Sequence, residues 1–228
     1  MITISDFKTE FSQAIDKFVL HNRAFPEELL STARGKLYEG FTLAYLIKQL
    51  SEKEGYRFIL LNGTEIRLKS KGGPINRSFP HFLVTKGDLI IGELHTDIEF
   101  LTTSYENRGN GTEPLTKGDY HEIDIVLVKR HSPGRPRPSD ILIAVECKDT
   151  SYEKYYLREA LGIRRELGYS TMGNPIPLPF HSWPQSTVCY SPPSVFLVFC
   201  SNQNVLEYAK PGEYFEIQFH HRELGDFS

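Results

Sequence analysis

Residues 141–148 read ILIAVECK, and their reading decides the fold. Ile141 to Val145 form an unbroken apolar run, preceded by the Pro-rich HSPGRPRPSD (131–140), which is the pattern of a buried strand. Glu146 and Lys148 then place an acid and a base two apart at its end. Burying either costs several kcal/mol unless something pairs with it. Side chains at i and i+2 of a strand share a face, so Glu146 and Lys148 point one way while Val145 and Cys147 point the other.

The strand before the Pro-rich connection is HEIDIVLVKR (121–130). Glu122 and Asp124 share one face there, with Ile123, Ile125 and Leu127 expected on the other. The connection is long enough for a hairpin. Neighbouring strands would bring Asp124, Glu146 and Lys148 together on one side of a sheet. Two carboxylates in one place repel each other, and a hard cation relieves that repulsion. Mg2+ is held by one or two carboxylates with water and phosphate oxygens completing its shell. Such an ion polarises a phosphate and lowers the pKa of bound water. A lysine beside it answers developing negative charge or orients the attacking water. The set suits phosphodiester hydrolysis. Without that chemistry, Glu146 and Lys148 are a strand-end ion pair of small energetic value.

The rest of the chain is read outward from this pair. Phe7, Phe11, Ile15 and Phe18 recur at helical spacing, predicting a helix over 5–20. A second helix is expected from Pro26 or Ser31 to Glu54, with Leu37, Phe41, Ala44, Ile47 and Leu50 as its apolar stripe and Gly55 as its stop. Asn62-Gly63 between β-rich runs predicts a hairpin. A β-rich stretch follows from His81 to Thr103, turning near Lys86-Gly87-Asp88, and then a polar loop from Ser104 to Asp119. Thr150 and Glu153 have the spacing of a capping box for a helix ending near Gly168. Residues 174–193 hold six prolines and read as an irregular segment. SVFLVFCS (194–201) reads as a strand buried on both faces, NVLEYAK as a short helix, and EYFEIQFHH as a last strand. The expected architecture is a single α/β domain over 1–228, with a β-rich insertion at about 69–119.

Asp124 followed by Glu146-Cys147-Lys148 on the next strand resembles the PD-(D/E)XK nuclease superfamily. The resemblance implies a restriction-endonuclease-like core, a mixed central sheet flanked by helices. Its helix, three-strand meander, helix and further strand would map to residues 31–54, the strand near Phe58–Leu61, the strands of Asp124 and Glu146, the helix 150–168 and the strand 195–200. Ile123 stands where the family motif has proline, and the stretch between the first strand and Asp124 is long. The resemblance further implies Asp124, Glu146 and Lys148 as catalytic residues of a Mg2+-dependent endonuclease, with Mn2+ able to substitute. It adds Glu39, in KLYEGF on the first core helix, to Asp124 and Glu146 as a metal ligand. DNA rather than RNA is the implied substrate, with a role in restriction or in defence against phage and mobile elements. A homodimer or a larger defence or transposition complex fits the same picture.

Other features bear on partners and alternatives. Lys129, Arg130, Arg135 and Arg137 cluster in the connection beside the expected site and could bind backbone phosphates, as could Arg158, Arg164 and Arg165. The net charge of -3 gives no overall basic signal, so a nucleic acid would have to be met by such a local patch. GELHTDIEF (92–100) presents Glu93, His95, Asp97 and Glu99 as an alternating row that could ligate a metal, or form the wet face of a sheet. Three cysteines without paired spacing argue for a reducing, cytoplasmic setting, and no apolar run reaches the ~20 residues that cross a bilayer. The alternative of a different class is a non-catalytic nucleic-acid-binding or assembly module retaining the fold.

Overall fold

Around the strand formed by Ile141–Lys148 the chain builds a seven-stranded mixed sheet between helices. The computed structural model describes residues 27–69, 71–108, 114–171, 177–185 and 188–224, with side chains from Arg34 onward. The helix expected over 5–20 lies outside these residues. In chain order the elements are α1 (Glu27–Glu54), β1 (Arg57–Leu61), β2 (His81–Lys86), β3 (Leu89–Leu101), α2 (Thr103–Asn107), β4 (Tyr120–Val128), β5 (Ile141–Lys148), α3 (Lys154–Leu167), β6 (Tyr169–Ser170), β7 (Tyr190–Ser191), β8 (Val195–Cys200), α4 (Ala209–Tyr214) and β9 (Ile217–His221). The sheet runs β1-β2-β3-β4-β5-β8-β9. It is antiparallel as far as β5 and parallel from there, while β6 and β7 pair separately. Among the described residues no helix is long and apolar enough to cross a membrane.

Two apolar layers hold the sheet. Tyr38, Leu43, Leu46 and Leu50 of α1 pack on Phe82, Leu94, Ile125, Ile143, Val145, Leu197 and Phe199. On the other face Leu157, Ala160, Ile163 and Leu167 of α3 pack on Val126, Ala144, Phe196 and Val198. The alternation of β5 therefore sends Val145 toward α1 and the next residue, Glu146, toward α3. The buried stripe of α1 differs from the expected one: Leu37, Phe41, Ala44 and Ile47 are only half-buried. The sequence offers two overlapping apolar stripes, and the one used turns Lys36 and Glu39 toward the sheet.

Four local expectations are corrected. β1 does not form a hairpin through Asn62-Gly63 but pairs with β2, Leu61 opposite His81. Asn62 adopts a left-handed backbone, φ 58°, and its amide donates to the Arg77 carbonyl. Gly63 lies so close to Pro80 that an added Cβ would be 2.8 Å from the proline ring. These non-local contacts send residues 64–80 out as a loop. The stretch 69–119 is not set apart from the sheet either. It supplies β2 and β3, and β3 rather than β1 is the neighbour of β4. Thr103–Asn107, expected within or beside a loop, is a short helix capped by the Thr102 side chain, which accepts from the Tyr105 N–H. Finally, α3 starts at Lys154 with Glu153 at its N-cap and no side-chain capping bond. Tyr152 is buried against Tyr156, Tyr208 and Phe219, so residues 149–153 lie ahead of the helix rather than opening it.

Arg164, expected as a surface charge, is 1% exposed. Its guanidinium lies 3.8 Å from the Tyr190 ring centre and donates to the Ser194 carbonyl at 3.0 Å. Arg164→Ala leaves a cavity and an unpaired buried carbonyl, so it is expected to cost about 3 kcal/mol. The shift of the urea midpoint at constant slope measures this. A change within the surface range of about ±0.5 kcal/mol would contradict the packing role.

Candidate metal centre

The site begins with a fault in the β3–β4 ladder. Thr96 pairs with Ile125 and Ile98 with Ile123, and the rung between them, where Asp97 faces Asp124, is missing. Asp97 has a left-handed backbone, φ 53°, which a non-glycine residue adopts only under constraint from its surroundings. The side-chain phase reverses there. Leu94 belongs to the α1 layer but Ile98 and Phe100 to the α3 layer, and in β4 Ile125 belongs to the first and Ile123 to the second. Ile123, Ile125 and Leu127 thus do not share one face as expected.

The β4–β5 ladder stops at Ile125 and Val145. Beyond it Asp124 takes over: its Oδ2 accepts the Cys147 N–H at 2.7 Å. Asp124 therefore stands between two groups. On one side, an oxygen each from Glu39, Asp97 and Asp124 lie within 4.8 Å of one another. Lys36, one turn before Glu39 in α1, bridges Glu39 at 2.8 Å and Asp97 at 2.5 Å. Asp97 is fully buried and also accepts the Lys69 N–H at 3.2 Å. On the other side, Lys148 Nζ is 3.1 Å from Glu146 and 3.1 Å from Glu159 of α3, and lies over the Tyr156 ring at 5.5 Å. A recess lined by Glu146, Lys148, Tyr152, Tyr156 and Glu159 opens beside this pair. Arg34 of α1 meets Asp149, just past β5, at 2.7 Å and so joins the two halves.

The electrostatics follow from burial and like charge. Burial, then repulsion from Asp124, push the Glu39 carboxyl up to about 8, although Lys36 pulls the other way. Burial pushes Asp124 up to about 6 against the bond from the Cys147 amide. Glu146 is raised well above the ordinary carboxylate range by burial and then by Asp124. Burial alone would lower the Lys148 ammonium, but Glu146, Glu159 and Asp124 outweigh it and keep it charged. Carboxylates that hold protons first because they are buried and then because other acids lie near are groups that a divalent cation would stabilise. The oxygen-only donor set suits a hard ion.

Asp124, Glu146 and Lys148 thus lie on adjacent strands, and Glu39 reaches Asp124 from α1. Asp97 and Lys36 complete the cluster and were not assigned to it from sequence. Lys36 lies three residues from Glu39 on the same helix, which was a readable signal; the left-handed turn at Asp97 has none. The expected Glu93-His95-Asp97-Glu99 row is split by that turn. Glu93 and His95 meet His81, Asp97 joins the acids, and Glu99 pairs with Arg135 at 2.7 Å. Of the basic residues, Lys129 and Arg130 are exposed, while Arg135 also lies over Tyr120 at 4.6 Å and Arg137 is 3.6 Å from Glu106. Glu122 is exposed and packs against Gly72. No family model, curated protein or solved structure matches this chain.

Proposed function

We propose that the protein is a divalent-metal-dependent nuclease that hydrolyses phosphodiester bonds in DNA, with a site of the PD-(D/E)XK kind. The observations that support this reading are the oxygens of Glu39, Asp97 and Asp124, which lie within 4.8 Å of one another, and the Glu146–Lys148 pair at 3.1 Å at the end of the neighbouring strand. Asp124, with Glu146, Glu39 and Asp97 around it, would hold Mg2+ or Mn2+. When bound, the cation supplies Lewis-acid polarisation of the phosphate and a more acidic water. Lys148 is fixed between Glu146 and Glu159 and kept charged, which favours a role in balancing transition-state charge over a role as a base. Phosphate binding falls to exposed bases such as Lys129 and Arg130, because Arg135 and Arg137 have acidic partners of their own.

One feature favours the alternative of a non-catalytic module. Lys36 and Lys148 already neutralise part of the acidic charge. The two readings separate in a cleavage assay on plasmid, single-stranded DNA and RNA, with Mg2+ or with EDTA. Cleavage of DNA that needs Mg2+ is expected. Cleavage undiminished in EDTA, or none on any substrate with Mg2+ or Mn2+, would rule the proposal out.

Cation binding is expected to tighten with pH. Glu39 and Asp124 hold protons below about pH 8 and about pH 6, so an incoming ion must displace them there. Because both are raised, their contribution to folding is fully present below their unfolded values and is lost as pH rises through the folded ones. The metal-free protein should therefore lose stability from about pH 4 upward, Asp124 contributing to the loss up to about pH 6 and Glu39 up to about pH 8, as Mn2+ affinity grows. Titration calorimetry in buffers of different ionisation enthalpy measures the protons released. Affinity independent of pH over that window would contradict this charge assignment.

A further inference from the structure

The β2–β3 register pairs Phe82 with Leu94 and Leu83 with Glu93, which sets His81 opposite His95. Glu93 precedes His95 by two positions and shares its face. Phe82 and Leu94 point into the α1 layer, so the three polar residues point away from it. All three are buried, at 3% exposure for His81 and 5% for each of the others. One ligand atom from each lies within 4.8 Å of the others. The imidazole rings stack with centres 4.6 Å apart and planes 15° apart.

The surroundings orient these ligands. The Phe79 carbonyl is 2.9 Å from His81 Nδ1, and a proton held there leaves Nε2 with its lone pair. Arg77 donates to Glu93 Oε2 through Nε at 2.9 Å and lies 2.8 Å from it through a terminal nitrogen. That arginine is itself fixed by the Ser132 carbonyl at 2.8 Å. His95 Nε2 is 3.3 Å from the same Oε2, and Oε1 takes part in none of these contacts. Two imidazole nitrogens and one carboxylate oxygen, with His81 oriented by the Phe79 carbonyl and Glu93 by Arg77, are a ligand set for a borderline transition ion. The oxygen cluster around Asp124 favours a hard ion instead.

We propose that His81, Glu93 and His95 form a second metal site, for a zinc-class cation, that fastens β2 to β3 and anchors the Arg77 segment. It does not depend on the nuclease reading. The test is metal analysis of the full chain after Zn2+ loading and dialysis. One Zn2+ per chain is expected. It should persist in Asp124→Asn, disappear in His81→Ala and in His95→Gln, and raise the melting temperature of the parent. Absence of zinc, zinc that survives both histidine substitutions, or zinc lost only with Asp124→Asn would overturn the proposal. If the histidine variants fail to fold, zinc-edge X-ray absorption on the unmodified chain decides. Two imidazole scatterers support the site, and a shell of oxygen alone refutes it.

Discussion

Lys148→Ala is expected to reduce hydrolysis by ~10²–10³-fold while leaving the fold and Mn2+ binding in place. The ammonium is held at 3.1 Å by both Glu146 and Glu159, so its position is set before any substrate arrives. Its side chain is 20% exposed, but Glu146 beside it is buried, so removing the lysine leaves a buried carboxyl without its partner and is expected to lower the melting temperature while the fold is kept. Removing the positive charge leaves the acidic cluster more negative, so cation affinity should hold or rise. The control is Lys154→Ala at the start of α3, an exposed lysine six residues along without a proposed role. Equal rates in the two variants would return Lys148 to an ordinary ion pair. The melting curve of Lys154→Ala should overlay the parent, and that of Lys148→Ala should keep a single cooperative transition at a lower temperature.

Asp124→Asn is expected to have a still broader effect, abolishing cleavage and Mn2+ binding together while stabilising the metal-free protein. The amide oxygen of asparagine can still accept the Cys147 N–H, so the junction between β4 and β5 is preserved. What disappears is a buried charge that raises both Glu39 and Glu146. The gain should be largest above about pH 6, where the parent pays for an ionised Asp124. Calorimetric melting at two pH values measures it. A stabilised, inactive variant is the mark of a group placed for chemistry rather than folding. A destabilised variant that still cleaves would assign Asp124 to architecture alone.

Much of this frame was legible in the residues. ILIAVECK is the strand Ile141–Lys148, and VFLVFC is a wholly buried strand, because uninterrupted apolar runs between Pro-rich punctuation leave few other structures. The long helix ends at Glu54 before Gly55, as its stop signal indicated. What failed depended on contacts distant in sequence. Asn62-Gly63 is a sound local turn signal, yet Leu61 pairs with His81 across an intervening loop. Thr150 and Glu153 have capping spacing, yet the aromatic packing of Tyr152 delays the helix.

The site divides in the same way. The adjacency of the Asp124 strand to the Glu146–Lys148 strand was legible, and Glu39 came from resemblance. The common face expected from alternation was not legible, because the apolar layers exchange between Ile123 and Ile125 and the ladder ends before Asp124. Asp97 was hidden because one left-handed residue inverts the alternation on which any strand reading depends. Arg164 looked like its exposed basic neighbours, since charge alone does not tell which turn of α3 faces Tyr190. His81 gained significance only once the β2–β3 register set it against His95.

The central claim is that the acids of α1, β3, β4 and β5 hold one divalent ion on which hydrolysis depends. Mn2+ titration followed by electron paramagnetic resonance, with plasmid cleavage measured on the same samples, tests it most directly. The account predicts that cleavage rises in step with bound Mn2+ in the parent. In Asp124→Asn and Glu146→Gln both should be lost, and in Lys148→Ala binding should persist without cleavage. Unchanged Mn2+ binding in Asp124→Asn and Glu146→Gln, or cleavage without bound metal, would contradict it.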